Sequence, residues 1–109
     1  MKLAVLAPLL ALLAGCATFG ESGGGDVSSV SRGQSFAQRA CSQCHAVGRT
    51  GESPRATAPN FGSIRMRYSG PTLIRELEAI DAVGHYGMPP VATQPGDRRD
   101  LARYIESLG

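Results

Sequence analysis

The strongest chemical pattern in the sequence is the run Cys41-Ser42-Gln43-Cys44-His45. Cys-x-x-Cys-His is the attachment motif of c-type haem. Two thiols three residues apart lie on about one helical turn, so both can form thioethers with the vinyl groups along one porphyrin edge. The imidazole of the next residue then lies under the ring and can bind the iron. The pattern predicts one haem c, attached covalently through Cys41 and Cys44, with His45 as an iron ligand.

Three other roles compete for this motif. A thioredoxin-like Cys-x-x-Cys needs a βαβ context, and the sequence has no run of β-branched apolar residues. A structural zinc site needs four ligands, and His85 is the only further histidine or cysteine after the motif. A disulfide between Cys41 and Cys44 is compatible with an oxidising compartment, but it gives His45 no role.

The candidates for a second axial ligand are Met66, His85 and Met88. Met88 lies in Gly87-Met88-Pro89-Pro90, where the prolines stiffen an extended chain and the glycine lets the backbone pass close to a ring. This segment predicts Met88 as the ligand. Met66 has apolar neighbours at helical spacing, which predicts a core side chain. His85 is predicted to lie in the loop near the haem, and it stays the competing ligand.

With these motifs in place, residues 32–109 resemble class I cytochrome c, the small one-haem electron carriers of bacterial periplasms and mitochondria. The resemblance is carried by the stretch 33–46, which leads into the haem motif, and by the Met-Pro loop. It implies a small all-α fold of three to five short helices wrapped around one covalent haem. It also implies that the backbone carbonyl of Pro59, in Ala58-Pro59-Asn60-Phe61, accepts a hydrogen bond from Nδ1 of His45 and so steadies the ring.

In the same family the first and last helices cross near a glycine and an aromatic residue. The resemblance therefore implies that Gly33 and Phe36 meet Tyr104 and Leu108. The haem walls are expected to be Phe61, Ile64 and Tyr68.

The elements that must position these residues are helical. Start signals precede three of them: Ser29 or Ser31 before a helix to about Cys44, Ser69 before Gly70-Pro71, and Thr93 before Pro95. Apolar residues then recur at helical spacing, at Leu73, Leu77 and Ile80, and at Leu101, Tyr104, Ile105 and Leu108. A short helix is also predicted over 61–68.

The first 15 residues predict a signal peptide. Lys2 precedes twelve mainly apolar residues, which is shorter than the ~20 that span a bilayer. The sequence Leu13-Ala14-Gly15-Cys16 resembles the bacterial lipobox, in which cleavage before the cysteine makes it the lipidated first residue. The alternative is an ordinary secretory signal cut near Ala17. Residues 16–31 are rich in Gly and Ser, which predicts a flexible tether to a domain at 32–109.

The length, charge and residue pattern of the chain argue against nucleic-acid binding and catalysis. The chain has 109 residues and a net charge of +2, with no basic stripe of the kind that binds nucleic acid. The sequence shows no nucleophile–base pair and no catalytic carboxylate pair, so neither an enzyme nor a small-molecule substrate is expected. The prediction is a lipid-anchored electron carrier on the periplasmic side of a bacterial membrane, with brief contacts to redox proteins.

Two alternatives stay open. The chain could be the haem subunit of a larger oxidoreductase. In that case the other subunits would purify together with this chain. If Met88 leaves the iron easily, the protein could instead bind a gas or peroxide.

Overall fold

A computed structural model describes residues 24–85 and 87–109 and folds them into four helices. In chain order these are α1 (Gly24–Ala40), α2 (Phe61–Arg67), α3 (Gly70–Val83) and α4 (Pro95–Ser107). Within those ranges the only β-type pairing is an isolated bridge between His85 and Met88. The all-α fold class is therefore confirmed. No helix in the described ranges combines the length and hydropathy needed to cross a bilayer.

Helix α1 begins earlier than the sequence indicates. Residues 24–31, predicted to be flexible tether, are helical, and neither Ser29 nor Ser31 begins the helix. The reason is tertiary contact: the Ser29 hydroxyl donates to Asp100 of α4, and Arg32 Nε lies 2.6 Å from the same carboxylate. Such contacts offset the low helix propensity of Gly and Ser. The signal peptide and Cys16 lie outside the described residues.

Helices α1 and α4 touch backbone to backbone at Gly33. A Cβ atom at this position would lie 2.0 Å from the Asp100 carbonyl oxygen and 2.8 Å from Tyr104 Cβ. No side chain fits in that space, so only glycine allows this crossing. The approach of Gly33 to Tyr104 agrees with the family resemblance. Tyr104 then donates its hydroxyl to the carbonyl of Val47, which ties α4 to the chain that follows the haem motif.

The core lies between these helices. Its buried members are Ala37, Cys41, Phe61, Leu73, Leu77, Leu101, Ala102, Tyr104 and Ile105. The apolar stripes predicted for α3 and α4 supply most of them, and Ile80 and Leu108 pack against the cluster half-buried. The apolar periodicity of α3 and α4 therefore identified their buried faces correctly.

Met66 is an exception to that pattern. Its side chain is 88% exposed, so the prediction of a core methionine is wrong. Helix α2 buries Phe61 and half-buries Ile64. Met66 follows them by five and two residues, spacings that place it on the opposite face of the helix.

The first turns of α3 and α4 are not capped by the side chains of Ser69 and Thr93, the start signals that the sequence suggested. Gln94, not Thr93, is the N-cap of α4, and its backbone N–H donates to Asp97 Oδ2 over 2.8 Å. Ser69 holds the N-cap position of α3 but makes no side-chain capping bond. Instead, Glu106 Oε1 of α4 accepts the Gly70 N–H at 2.7 Å, so a neighbouring helix satisfies this end.

Candidate functional site

The predicted attachment motif forms one compact turn directly after α1. The backbone N–H of Cys41 donates to Ala37 O at 2.9 Å, which extends the helical bonding by one residue. The carbonyl of Cys41 then accepts from the N–H groups of Cys44 and His45, at 3.2 and 2.9 Å. One turn thus holds both thiols and the imidazole close together, although α1 itself ends at Ala40 rather than near Cys44.

No disulfide joins Cys41 and Cys44. Cys41 is buried among apolar side chains, and this burial raises the pKa of its thiol to about 11. An apolar setting disfavours a thiolate, whereas a neutral thioether carries no such cost. In the described ranges no three or more His, Cys, Asp or Glu side chains converge on a metal-sized position.

His45 is buried, with 6% of its surface exposed. Its Nδ1 lies 2.7 Å from the backbone carbonyl oxygen of Pro59. A carbonyl can only accept, so Nδ1 carries the proton and Nε2 keeps the lone pair that a metal needs. The ring also packs against Phe61, with 5.7 Å between centroids. Hydrogen bond and packing together fix the orientation of the imidazole.

Hydrogen bonds within the loop between His45 and α2 hold it in one conformation. Ala46 contributes twice: its N–H donates to Ser53 Oγ at 2.9 Å and its carbonyl accepts from Phe61 N–H at 2.9 Å. Asn60 caps α2 by accepting from Ser63 N–H at 2.8 Å. These bonds bring the Pro59 carbonyl oxygen to within 2.7 Å of Nδ1 of His45.

Gly62, the second residue of α2, packs against this loop and was not predicted as a site residue. A Cβ atom here would lie 1.9 Å from the carbonyl oxygen of Arg49, so the start of α2 can rest on the loop only with glycine at this position. A glycine one residue inside a predicted helix is the sequence signal for such a close approach.

An apolar pocket opens beside His45, with a volume of about 960 Å³ when its open mouth is included. The side chains that the sequence proposed as haem walls line it: Phe61, Ile64 and Tyr68. Core residues Leu73 and Leu77 complete the apolar surface. The pocket also takes in two charged residues, Arg67 and Glu76. A flat apolar ring with a polar edge suits such a lining.

Met88 and His85 both line this pocket. They face each other in a tight reversal of the chain: His85 N–H donates to Met88 O at 3.2 Å, and Met88 N–H donates to His85 O at 2.8 Å. Gly87 has φ +74°, the left-handed region that glycine adopts without strain. Tyr86, between them, lies outside the described residues.

Gly84 is a second residue that the sequence analysis missed. It has φ +65°, and a Cβ atom on it would lie 2.4 Å from the Met88 carbonyl oxygen and 2.9 Å from Pro90 N. The segment 88–90 therefore passes directly over the end of α3. Val91 N–H then donates to Ile80 O at 3.3 Å.

Asp81 of α3 binds the C-terminal end of the loop that contains Met88. One carboxylate oxygen accepts from Thr93 N–H at 2.8 Å, and the other lies 3.3 Å from Arg98 Nη1. The arginine also donates to Thr93 Oγ1 at 2.9 Å. The loop from Gly84 to Gln94 is thus tied to α3 and α4 at both ends.

The structure brings four of the sequence-predicted site residues to one pocket: Cys41, His45, Pro59 and Met88. Cys44 lies half-buried in the adjoining turn. The donor set fits a haem iron, since it supplies an imidazole with a free Nε2 and a thioether beside apolar walls.

Comparison with protein families supports the same site. The family model described as Cytochrome c matches residues 30–109, a range that covers the haem motif, Pro59 and Met88. No curated protein and no solved structure matches the chain.

Proposed function

Because the chain belongs to the cytochrome c family, we propose that it carries single electrons between redox proteins at the periplasmic face of a bacterial membrane. The family brings covalently bound haem c, and Cys41 and Cys44 fit its attachment motif. The observation that carries the proposal is the buried His45, fixed by Pro59 and facing the same pocket as Met88.

Bound haem supplies one iron atom that gains and loses one electron. The protein supplies what surrounds it. His45 would hold the iron through Nε2, and its Nδ1–H···O=C bond to Pro59 makes the ring a more basic donor in a fixed orientation. Met88 would hold the iron through a neutral thioether, which would raise the reduction potential relative to a second histidine.

With His45 and Met88 both holding the iron, no position on the metal would be left for a substrate. The loop that presents Met88 is held against α3, because Val91 N–H donates to Ile80 O and Thr93 N–H donates to Asp81 Oδ1. These ties favour a ligand that stays in place during electron transfer. The proposal is therefore an electron carrier and not a gas-binding or peroxide-consuming protein.

Absorption spectra test the haem site. The full chain, expressed in a host with c-type haem maturation, should keep its haem on the polypeptide after denaturation. The reduced protein should give sharp low-spin bands. The oxidised protein should show a weak Met–iron charge-transfer band that disappears in Met88→Ala and persists in Met66→Ala, the matched control on the exposed face of α2. A high-spin spectrum would contradict the electron-carrier proposal and favour the gas-binding alternative.

The membrane location rests on the sequence Leu13-Ala14-Gly15-Cys16. A lipidated Cys16 would place the domain on a membrane surface, because several acyl chains bind a bilayer far more firmly than one. Detergent-phase partitioning of wild type and Cys16→Ser tests this, with mass spectrometry of the N-terminal peptide. Wild type in the aqueous phase without added acyl mass would contradict the anchor.

Solubilisation in mild detergent also separates a free carrier from a subunit. A free carrier elutes alone. A stoichiometric partner in the same fraction would indicate a dedicated subunit of a larger oxidoreductase.

A further inference from the structure

Arg55 connects two segments of the site that lie 32 residues apart. Its Nη1 donates to the backbone carbonyl of Gly87, in the loop that presents Met88. Its own backbone N–H donates to the carbonyl of Cys44 at 3.2 Å. One residue therefore contacts both the attachment motif and the loop of the proposed second ligand.

The backbone from which Arg55 extends is held in place. Its carbonyl accepts from Ala58 N–H at 3.0 Å. Two residues before it, Ser53 Oγ accepts from Ala46 N–H at 2.9 Å. The guanidinium thus reaches across to the other loop from a fixed base, although the side chain itself is exposed to solvent.

The accepting carbonyl is well placed to control Met88. Gly87 C=O and Met88 N–H belong to one peptide unit, and a peptide unit is planar. The carbonyl oxygen of this peptide unit accepts from Arg55 Nη1, and its N–H donates to His85 O at 2.8 Å. The two hydrogen bonds together fix the orientation of the peptide plane and so the position of Met88 Cα.

We propose that Arg55 is a positioning residue that holds Met88 at the iron against displacement by other ligands. This inference rests on the proposed function, in which Met88 is the second axial ligand. Arginine suits the task because its guanidinium is always charged and makes stronger hydrogen bonds to a carbonyl than a neutral donor does.

Imidazole binding to the oxidised protein measures how firmly Met88 is held. Imidazole can bind only when Met88 leaves, and the loop must then give up its contact with Arg55. In the full-length haem protein, Arg55→Ala should bind imidazole about three- to tenfold more tightly than wild type, the range expected for loss of one hydrogen bond. Arg55→Lys keeps the charge and one donor, so its affinity should fall between the two.

Arg75→Ala is the matched control. It removes the same charge from an exposed position on α3, where Arg75 Nη2 donates to Thr72 Oγ1 of the same helix at 3.4 Å. Its imidazole affinity should equal that of wild type. Equal effects of Arg55→Ala and Arg75→Ala, or no effect of Arg55→Ala, would overturn the role of Arg55.

The spectrum separates this inference from the proposed function. If wild type shows the Met–iron band and Met88→Ala loses it, while Arg55→Ala binds imidazole as wild type does, only the role of Arg55 fails. If wild type has no such band, the ligand assignment fails and the inference falls with it.

Discussion

The imidazole of His45 is anchored by a backbone atom, the carbonyl oxygen of Pro59, 2.7 Å from Nδ1. No side-chain substitution at position 59 removes this oxygen, so the hydrogen bond depends on the path of the loop. That path is set by bonds within 46–60 and by the close contact of Gly62 with Arg49. The basicity of the proposed iron ligand is thereby linked to the packing of a glycine at the start of α2.

Gly62→Ala should therefore disturb both stability and haem ligation. Its Cβ would overlap the Arg49 carbonyl oxygen, and overpacking of this kind costs about 1–3 kcal/mol. Denaturant unfolding of the haem protein measures this loss. Gly96→Ala is the control, because nothing lies within 4 Å of its Cβ position in α4. An equally small effect of both changes would show that the loop adapts without cost.

Gly84→Ala should loosen Met88. The substitution combines backbone strain at φ +65° with overlap on the Met88 carbonyl oxygen. Gly70→Ala separates the two effects, because Gly70 also has positive φ but no atom within 4 Å of its Cβ position. Gly70→Ala should lose about 1–2 kcal/mol of unfolding free energy from backbone strain. Gly84→Ala should lose more, because its φ of +65° and ψ of −153° lie in a region that essentially only glycine adopts. Only Gly84→Ala should also weaken the Met–iron band, and an intact band would contradict this account.

The Arg32–Asp100 pair predicts a pH-dependent contribution to stability. The hydrogen bond from Arg32, with smaller help from Ser29, holds the pKa of Asp100 below its usual value, against a desolvation cost. A carboxylate with a lowered folded-state pKa stabilises the fold above its unfolded pKa of about 3.9, and this contribution is lost as pH falls through the folded value. Asp100→Asn should thus be less stable than wild type at pH 7, and the two should converge in acid.

Denaturant unfolding at several pH values between 7 and 3 tests that convergence. Glu78→Gln, on an exposed position of α3, controls for the loss of one negative charge. A difference between Asp100→Asn and wild type that stays constant over the whole range would contradict the assignment.

Tyr104→Phe should lower the free energy of unfolding by about 1 kcal/mol. The change removes the hydroxyl that donates to the Val47 carbonyl but keeps the ring that packs 6.4 Å from Phe61. Urea unfolding measures the loss, and Tyr104→Leu, which also removes the ring, should cost more. A Phe variant as stable as wild type would show that solvent replaces the bond.

Much of the site was predictable because its chemistry lies in short local motifs. The attachment run 41–45 and the Met-Pro segment at 88 each predict a role through residue type and spacing. The close contact at Gly33 was implied only by the resemblance to class I cytochrome c. The apolar stripes of α3 and α4 likewise follow from helical periodicity.

The features that the sequence did not predict depend on contacts distant in the chain. Ser29 and Arg32 of α1 bond to Asp100 of α4, and the backbone N–H at the start of α3 is satisfied by Glu106. Gly84 matters because segment 88–90 crosses it. Propensity alone contains no information on such partners. Met66 was mispredicted because it lies five and two residues after Phe61 and Ile64, and side chains share a helix face only at spacings of three or four residues.

If Cys16 carries the proposed lipid, the early start of α1 would limit how far the domain can move from the membrane. Eight peptide steps separate Cys16 from Gly24, and a fully extended chain spans at most ~3.5 Å per step, or about 28 Å. The haem would then stay in a thin layer of solution next to the bilayer, where a membrane-bound partner has a high effective concentration. Inserting a Gly/Ser spacer before Gly24 should slow electron exchange with such a partner and speed exchange with one in solution.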